Sequence, residues 1–258
     1  MGTMSEMNAE EYFPILVKSN IEINSILEDK QVIRPRFGRD MFLNKTSEFI
    51  FSILDEEKNL SLKEIVQLVM IQFEIEDEGR VTDDVMQFLN TMWKKTLIVW
   101  KGNINPYYFE SLSSTKDGMI IAPLGFEAIR IVSDNNKEGI QFINPYNVSM
   151  FDDIGSVITV FSSGALRIMG TIEDNVIKEI IYFDNRSKII SLIYSNDAAS
   201  GERIKKIIEK IIEDSGCGLL YKLEGEDEFA PSNIGFDKCG TLKKEIGNKN
   251  VEVYLTVV

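Results

Sequence analysis

The sequence predicts an α+β chain built from two domains, and three observations predict it. Three short β-rich segments, 12–18, 31–36 and 40–44, precede three stretches of helical periodicity within the first hundred residues. A turn-rich break at 100–106 follows, carrying Gly102, two asparagines and Pro106. Beyond it short β-rich runs dominate, with one strongly amphipathic helix late in the chain. The 258 residues exceed what one small core needs, so domains are expected at 12–100 and 107–258.

In the first part, YFPILVK and QVIRPR each contain a proline, Pro14 and Pro35, which suits edge strands or strand starts because proline cannot donate to a ladder. DMFLN at 40–44 reads as a third strand. Ser47 can cap a first helix through Leu54, with Phe49, Ile50, Ile53 and Leu54 on one face. Ser61 and Glu64 in S-L-K-E have capping-box spacing for a second helix bearing Leu62, Ile65, Val66, Val69, Met70 and Phe73. Thr82 or Asp83 opens a third, carrying Val85, Phe88, Leu89, Met92 and Trp93. Asp83 and Asp84 then fall in its first turn and Lys94 and Lys95 in its last, as the macrodipole favours.

In the second part the expected strands are 118–122, 128–132, 140–143, 156–161, 165–172, 176–183 and 188–194. The helix at 201–214 places Ile204, Ile207, Ile208, Ile211 and Ile212 on one face. Strands at 218–222, 234–242 and 250–257 complete the chain. A crossover helix of this length favours parallel pairing of the strands either side of it.

Composition prunes the functions. The hydrophobic content of 44% is that of a folded chain, yet the apolar runs are too short for a ~20-residue membrane span. The acidic start has no basic and apolar signal pattern, and Cys217 and Cys239 form no CxxC, so the chain reads as cytoplasmic, with no structural zinc and no membrane partner. Histidine is absent, which removes Ser-His-Asp and Cys-His nucleophile systems and His-ligated metals. The net charge is −13, and residues 1–100 alone carry 11 basic and 18 acidic side chains. Neither part can neutralise a run of phosphates, so nucleic acid is not an expected partner, and a basic or mixed-charge peptide suits the surface better.

Remaining polar constellations read as structural. The pair Asp152–Asp153 before Gly155 and the run E-G-E-D-E at 224–228 are acidic turns, and DNNKEG at 134–139 is a hairpin turn. Lys238 could activate Cys239, but an incidental thiol is the expectation for both cysteines. No D-x-D-x-D-G calcium loop is present. The catalytic residues are unknown.

Residues P-R at 35–36, D-M-F-L-N-K-T-S-E-F-I-F-S-I-L-D at 40–55, S-L-K-E-I-V at 61–66 and D-D-V-M-Q-F-L-N-T-M at 83–92 run in an order that resembles the PqqD-like peptide-recognition domains of ribosomally synthesised, modified peptides. The resemblance spans about 12–100, with the acidic loop 74–84 longer than the pattern expects. It implies a winged-helix-like fold that adds a precursor's leader peptide as a strand to the third β-strand and lays apolar side chains against the third helix. Carried onto this chain, the peptide-binding residues are Met41, Phe42, Leu43, Val85, Phe88, Leu89 and Met92. Several of these have a plainer role as core filler. A winged helix is also the shape of DNA readers, but the net charge and a third helix without basic residues on its face oppose that use.

The late order strand, helix, strand, long loop, strand, with I-G-F at 234–236, is similar to the later half of a GNAT-type acyltransferase. That resemblance implies a mixed α/β domain whose turn at 196–203 holds acetyl-CoA or another acyl-CoA, with Ser200, Gly201 and Arg203 as cofactor-binding residues. The family's (Q/R)-x-x-G-x-(G/A) pattern is absent there apart from Gly201, and no tyrosine shortly precedes Gly235. Two functions follow: a maturation enzyme that captures a precursor and acylates it, or a non-catalytic adaptor that presents the precursor to a separate modifying enzyme.

Overall fold

The computed structural model describes residues 12–27, 30–55, 59–111, 113–114, 119–135, 138–197, 200–226 and 229–257. The chain divides into two compact units, Met1–Ser111 and Leu112–Val258. The N-terminal stretch before Tyr12, parts of the turns at 134–139 and 196–203, the first residue of the expected strand 118–122 and part of the run 224–228 lie outside the described residues.

In the first unit, β1 (Pro14–Leu16) pairs antiparallel with β5 (Ile98–Trp100). A separate antiparallel sheet has the order β2 (Ile21–Leu27), β3 (Lys30–Pro35), β4 (Met41–Phe42). The three expected strands are β1, β3 and β4. β2 and β5 are additional, and β2 escapes the sequence reading because all but its first residue are exposed, so no apolar alternation marks it.

Local hydrogen bonds set the helix starts. The first helix, α1 (Lys45–Asp55), begins ahead of Ser47, because Asn44 Oδ1 accepts the Ser47 N–H at 2.8 Å; Asn44 takes the capping role expected of Ser47. The second, α2 (Leu62–Phe73), has the capping box its sequence spells, with Ser61 and Glu64 bonded reciprocally. The third, α3 (Glu78–Lys94), starts before Thr82, because Asp77 Oδ1 accepts the Arg80 N–H at 3.0 Å. Asp83 and Asp84 therefore sit exposed in its second turn rather than its first. The three helices bury Ile50, Phe51, Leu62, Ile65, Val69, Val85, Leu89 and Met92 almost completely, which closes the core of this unit. The segment after β5 stays with it: Tyr108 packs on Trp93 with ring centroids 5.6 Å apart, and Asn105 Nδ2 donates to the buried Asn90 Oδ1.

The second unit contains β6 (Ser113–Ser114), β7 (Ile120–Pro123), α4 (Phe126–Asp134), β8 (Ile140–Ile143), α5 (Ile154–Ser162), β9 (Leu166–Glu173), β10 (Val176–Asp184), β11 (Ile189–Ser195), α6 (Gly201–Ser215), β12 (Cys217–Leu223), β13 (Asp237–Ile246) and β14 (Lys249–Val257). Its described strands form one sheet of order β13-β14-β12-β11-β10-β9-β7-β6, with β8 paired to β11 off that path. Every pairing is antiparallel except β11 with β12, the parallel pair either side of α6 that the crossover predicts. The isoleucines of α6 join Ile181, Phe183, Ile193, Leu220 and Phe236 in one buried cluster.

Two expectations are corrected here. Segments 128–132 and 156–161 are helical, within α4 and α5, rather than strands. Their β-branched composition suggested strands, but Ala128, Ile129 and Val132, and Val157, Ile158 and Phe161, fall at i, i+1 and i+4 and bury one helical face. The Asp153 carboxylate, accepting from the Gly155 and Ser156 N–H groups, starts α5.

Candidate functional site

The first candidate is the free edge of β4. Met41 lies opposite Ile33 and Phe42 opposite Val32, and the Leu43 N–H donates to Gln31 O at 2.9 Å. Alternation along an antiparallel ladder then turns the N–H and C=O of Phe42 away from β3. No other described strand pairs with β4 on that side. Arg34 anchors the turn before it, with Nε and Nη2 each donating to an Asp40 carboxylate oxygen at 2.8 Å, which holds that carboxyl below its ordinary range. Lys95, at the end of α3, donates to Arg39 O at 3.2 Å, and burial pushes its ammonium pKa down.

The residues expected to bind peptide separate by burial. Val85, Leu89 and Met92 are fully buried and Leu43 nearly so; they hold α3 and β4 to the core. Phe42 is 63% exposed, and Met41 and Phe88 are half-buried. The surface available to a ligand is thus an open strand edge carrying Phe42, with Met41 and Phe88 partly accessible.

The second candidate is the strand–turn–helix from β11 into α6. Ser200 is buried and makes no side-chain cap bond, and Gly201 opens the helix. The Arg203 guanidinium faces two carboxylates of its own unit. Its Nε donates to Glu179 Oε1 at 2.8 Å, and its Nη2 lies 2.7 Å from both Glu179 Oε1 and Asp197 Oδ2. These bonds, Glu179 first, hold Arg203 firmly charged. Glu179 is completely enclosed, and Thr171 Oγ1 donates to its other oxygen. Two carboxylates already engage this cation, so its guanidinium is not free to receive a pyrophosphate. The side chains present do not fit the acyl-CoA that the GNAT resemblance implies.

Glu179 is the residue sequence reasoning missed. Its signal was available: in V-I-K-E-I-I-Y-F it shares the inward face with Ile181 and Phe183, so alternation alone puts a carboxylate where apolar side chains belong. A register shift between Ile177 and Ile180 marks a bulge at this point, and Gly170 across the ladder lets the strands approach closely.

Other constellations are structural. Asp153 caps α5, and Lys238, the residue that could have activated Cys239, pairs with Glu252. Both cysteines are free. Among the described residues no group of three or more His, Cys, Asp or Glu side chains is arranged to hold a metal, and no helix is long and apolar enough to cross a membrane.

Solved structures similar to the chain include a GNAT-family acetyltransferase from Bacillus anthracis, with 13% identity over 57% of this chain and 97% of that one, and a TM-score of 0.42. They include a spermidine N-acetyltransferase SpeG chimera from Vibrio cholerae and hSSAT, with 14% identity, coverage of 54% and 95%, and a TM-score of 0.42. A third is the aminoglycoside 6'-N-acetyltransferase from Enterococcus faecium, with 6% identity, coverage of 53% and 96%, and a TM-score of 0.40. At these TM-scores the likeness carries no argument about substrate or cofactor. No curated protein matches the chain. Residues 34–98, which hold β4 and all three helices of the first unit, match the family model of coenzyme PQQ synthesis protein D (PqqD), and this segment is a PqqD domain.

Proposed function

We propose that the PqqD domain binds an extended leader segment of a ribosomally synthesised precursor peptide, and that the chain presents it to a separate modifying enzyme. The observation that carries this reading is the open edge of β4 with Phe42 exposed upon it. Strand addition there supplies main-chain hydrogen bonds through the Phe42 N–H and C=O, and Phe42, Met41 and Phe88 supply apolar contact. The excess of acid over base favours a basic or mixed-charge leader.

The alternative, acylation of the captured peptide from acetyl-CoA or another acyl-CoA, lacks comparable support, because the Arg203 guanidinium is already engaged by Glu179 and Asp197. The test is selection of binders from a displayed library of extended peptides, followed by titration of a selected peptide into the full chain and its Phe42→Pro variant. Proline removes both the outward N–H and the Phe42 ring, so affinity falls by at least about tenfold, or ~1.4 kcal/mol. An empty selection, or equal affinity for both chains, contradicts the reading.

A further inference from the structure

Among the described residues, the second unit has one parallel strand pair, β11 with β12, and open α/β sheets place ligands in a crevice at the carboxyl ends of their strands, here the end of β11 that leads into α6. β11 and β12 meet at a single register position, Ile189 with Leu219. Beyond it the outer edge of β11 would be free to bond an extended ligand, with the N-terminus of α6 close by in sequence.

That edge is occupied by the chain itself. β8 runs antiparallel along β11, with Ile143 opposite Leu192, Phe142 opposite Ile193 and Ile140 opposite Tyr194. Asn144 N–H donates to Ser191 O at 3.0 Å, and Ser195 N–H donates to Gly139 O at 2.8 Å. From Ile189 to Ser195, the outer edge of β11 is therefore covered first by β12 and then by β8.

The fit is built for closure. Phe142 belongs to the buried cluster under α6, and the Phe229 ring lies 5.2 Å from it. Gly139 has φ +80, and a Cβ there would stand 2.8 Å from Tyr194 Cε2 and 3.0 Å from Ser195 O, so only glycine allows this approach. Tyr194 in turn accepts from Asn135 Nδ2 at 2.7 Å and donates to Asn196 Oδ1 at 2.5 Å, tying the strand's entry to the exit of β11.

We infer that β8 is an internal strand that permanently fills the ligand crevice of this sheet, so that the second unit holds no acyl-CoA. The Arg203–Glu179–Asp197 cluster closes the same end with a charge balance suited to the protein's own carboxylates.

Two measurements on the full-length protein test this. Calorimetric titration with acetyl-CoA gives no saturable heat at millimolar ligand. Amide hydrogen exchange finds Ser195 and Asn144 as protected as the central amides of β10. In Gly139→Val, protection at both falls by at least about tenfold while the PqqD domain keeps its exchange pattern. Saturable acetyl-CoA binding to the unaltered chain overturns the inference, as does loop-like exchange at Ser195 and Asn144. Neither measurement involves the β4 edge, so the outcome is independent of peptide capture.

Discussion

Arg203 Nε donates to Glu179 Oε1 at 2.8 Å, joining a partly exposed guanidinium on α6 to a carboxylate wholly enclosed in β10. A buried charge is tolerated only when paired and hydrogen-bonded, and here Arg203 and Thr171 both bond it. Removing the cation strands the carboxylate, which costs about 3–5 kcal/mol when the pair is fully buried. Arg203 is partly exposed and water can take its place, so Arg203→Ala is expected to cost about 2–3 kcal/mol, below that range. Glu179→Gln in the Arg203→Ala background restores part of the loss. Urea unfolding of the four chains measures the cycle, and additive single effects contradict direct coupling.

Gly170 lies on β9 where that strand crosses the bulge in β10. A Cβ there would stand 2.2 Å from Glu179 O and 2.4 Å from Leu124 Cδ1, and the first is backbone. Gly170→Ala is therefore expected to destabilise the second unit by about 1–3 kcal/mol, as overpacking does, although alanine is ordinarily harmless in a strand. An unchanged urea midpoint contradicts that close approach.

Asp153 caps α5, and its bonds to the Ser156 hydroxyl and to the Gly155 and Ser156 N–H groups hold its pKa below the ordinary carboxylate value. A carboxyl depressed by folding stabilises the fold above its unfolded pKa of about 3.9, and that contribution is lost as pH falls through the folded value. Asp153→Asn keeps a capping oxygen but removes the charge. The stability gap between the two chains is expected to be widest near neutrality and to narrow in acid, and a gap that grows as pH falls contradicts the assignment. Glu64, depressed by its bonds to Ser61, behaves with the same sign in the first unit.

Much of this architecture is legible in the sequence, and the exceptions turn on burial and on partnership. The helix at α6 and the strand β8 were placed closely because five isoleucines share one helical face and because IQFI is bounded by turns. The capping box of α2 was read from S-L-K-E alone. What periodicity cannot carry is partnership: nothing in IQFI says that it lies against β11 rather than at an edge. The errors at 128–132 and 156–161 came from trusting β-branched residues over their helical spacing, where burial decides. Among the residues expected to bind peptide, the sequence could not separate the buried Val85, Leu89 and Met92 from the exposed Phe42, because one helical face and one short strand supply both core and surface. The Glu179–Arg203 pair stayed hidden because its partners are 24 residues apart.

The most direct test of peptide capture is the exchange rate of a single amide, that of Phe42, with and without a library-selected peptide. Strand addition at β4 predicts that Phe42 N–H slows by at least about tenfold on binding, while Leu43 N–H, already bonded to Gln31, changes little. An unchanged Phe42 amide under saturating peptide would contradict the account and place the binding surface elsewhere on the chain.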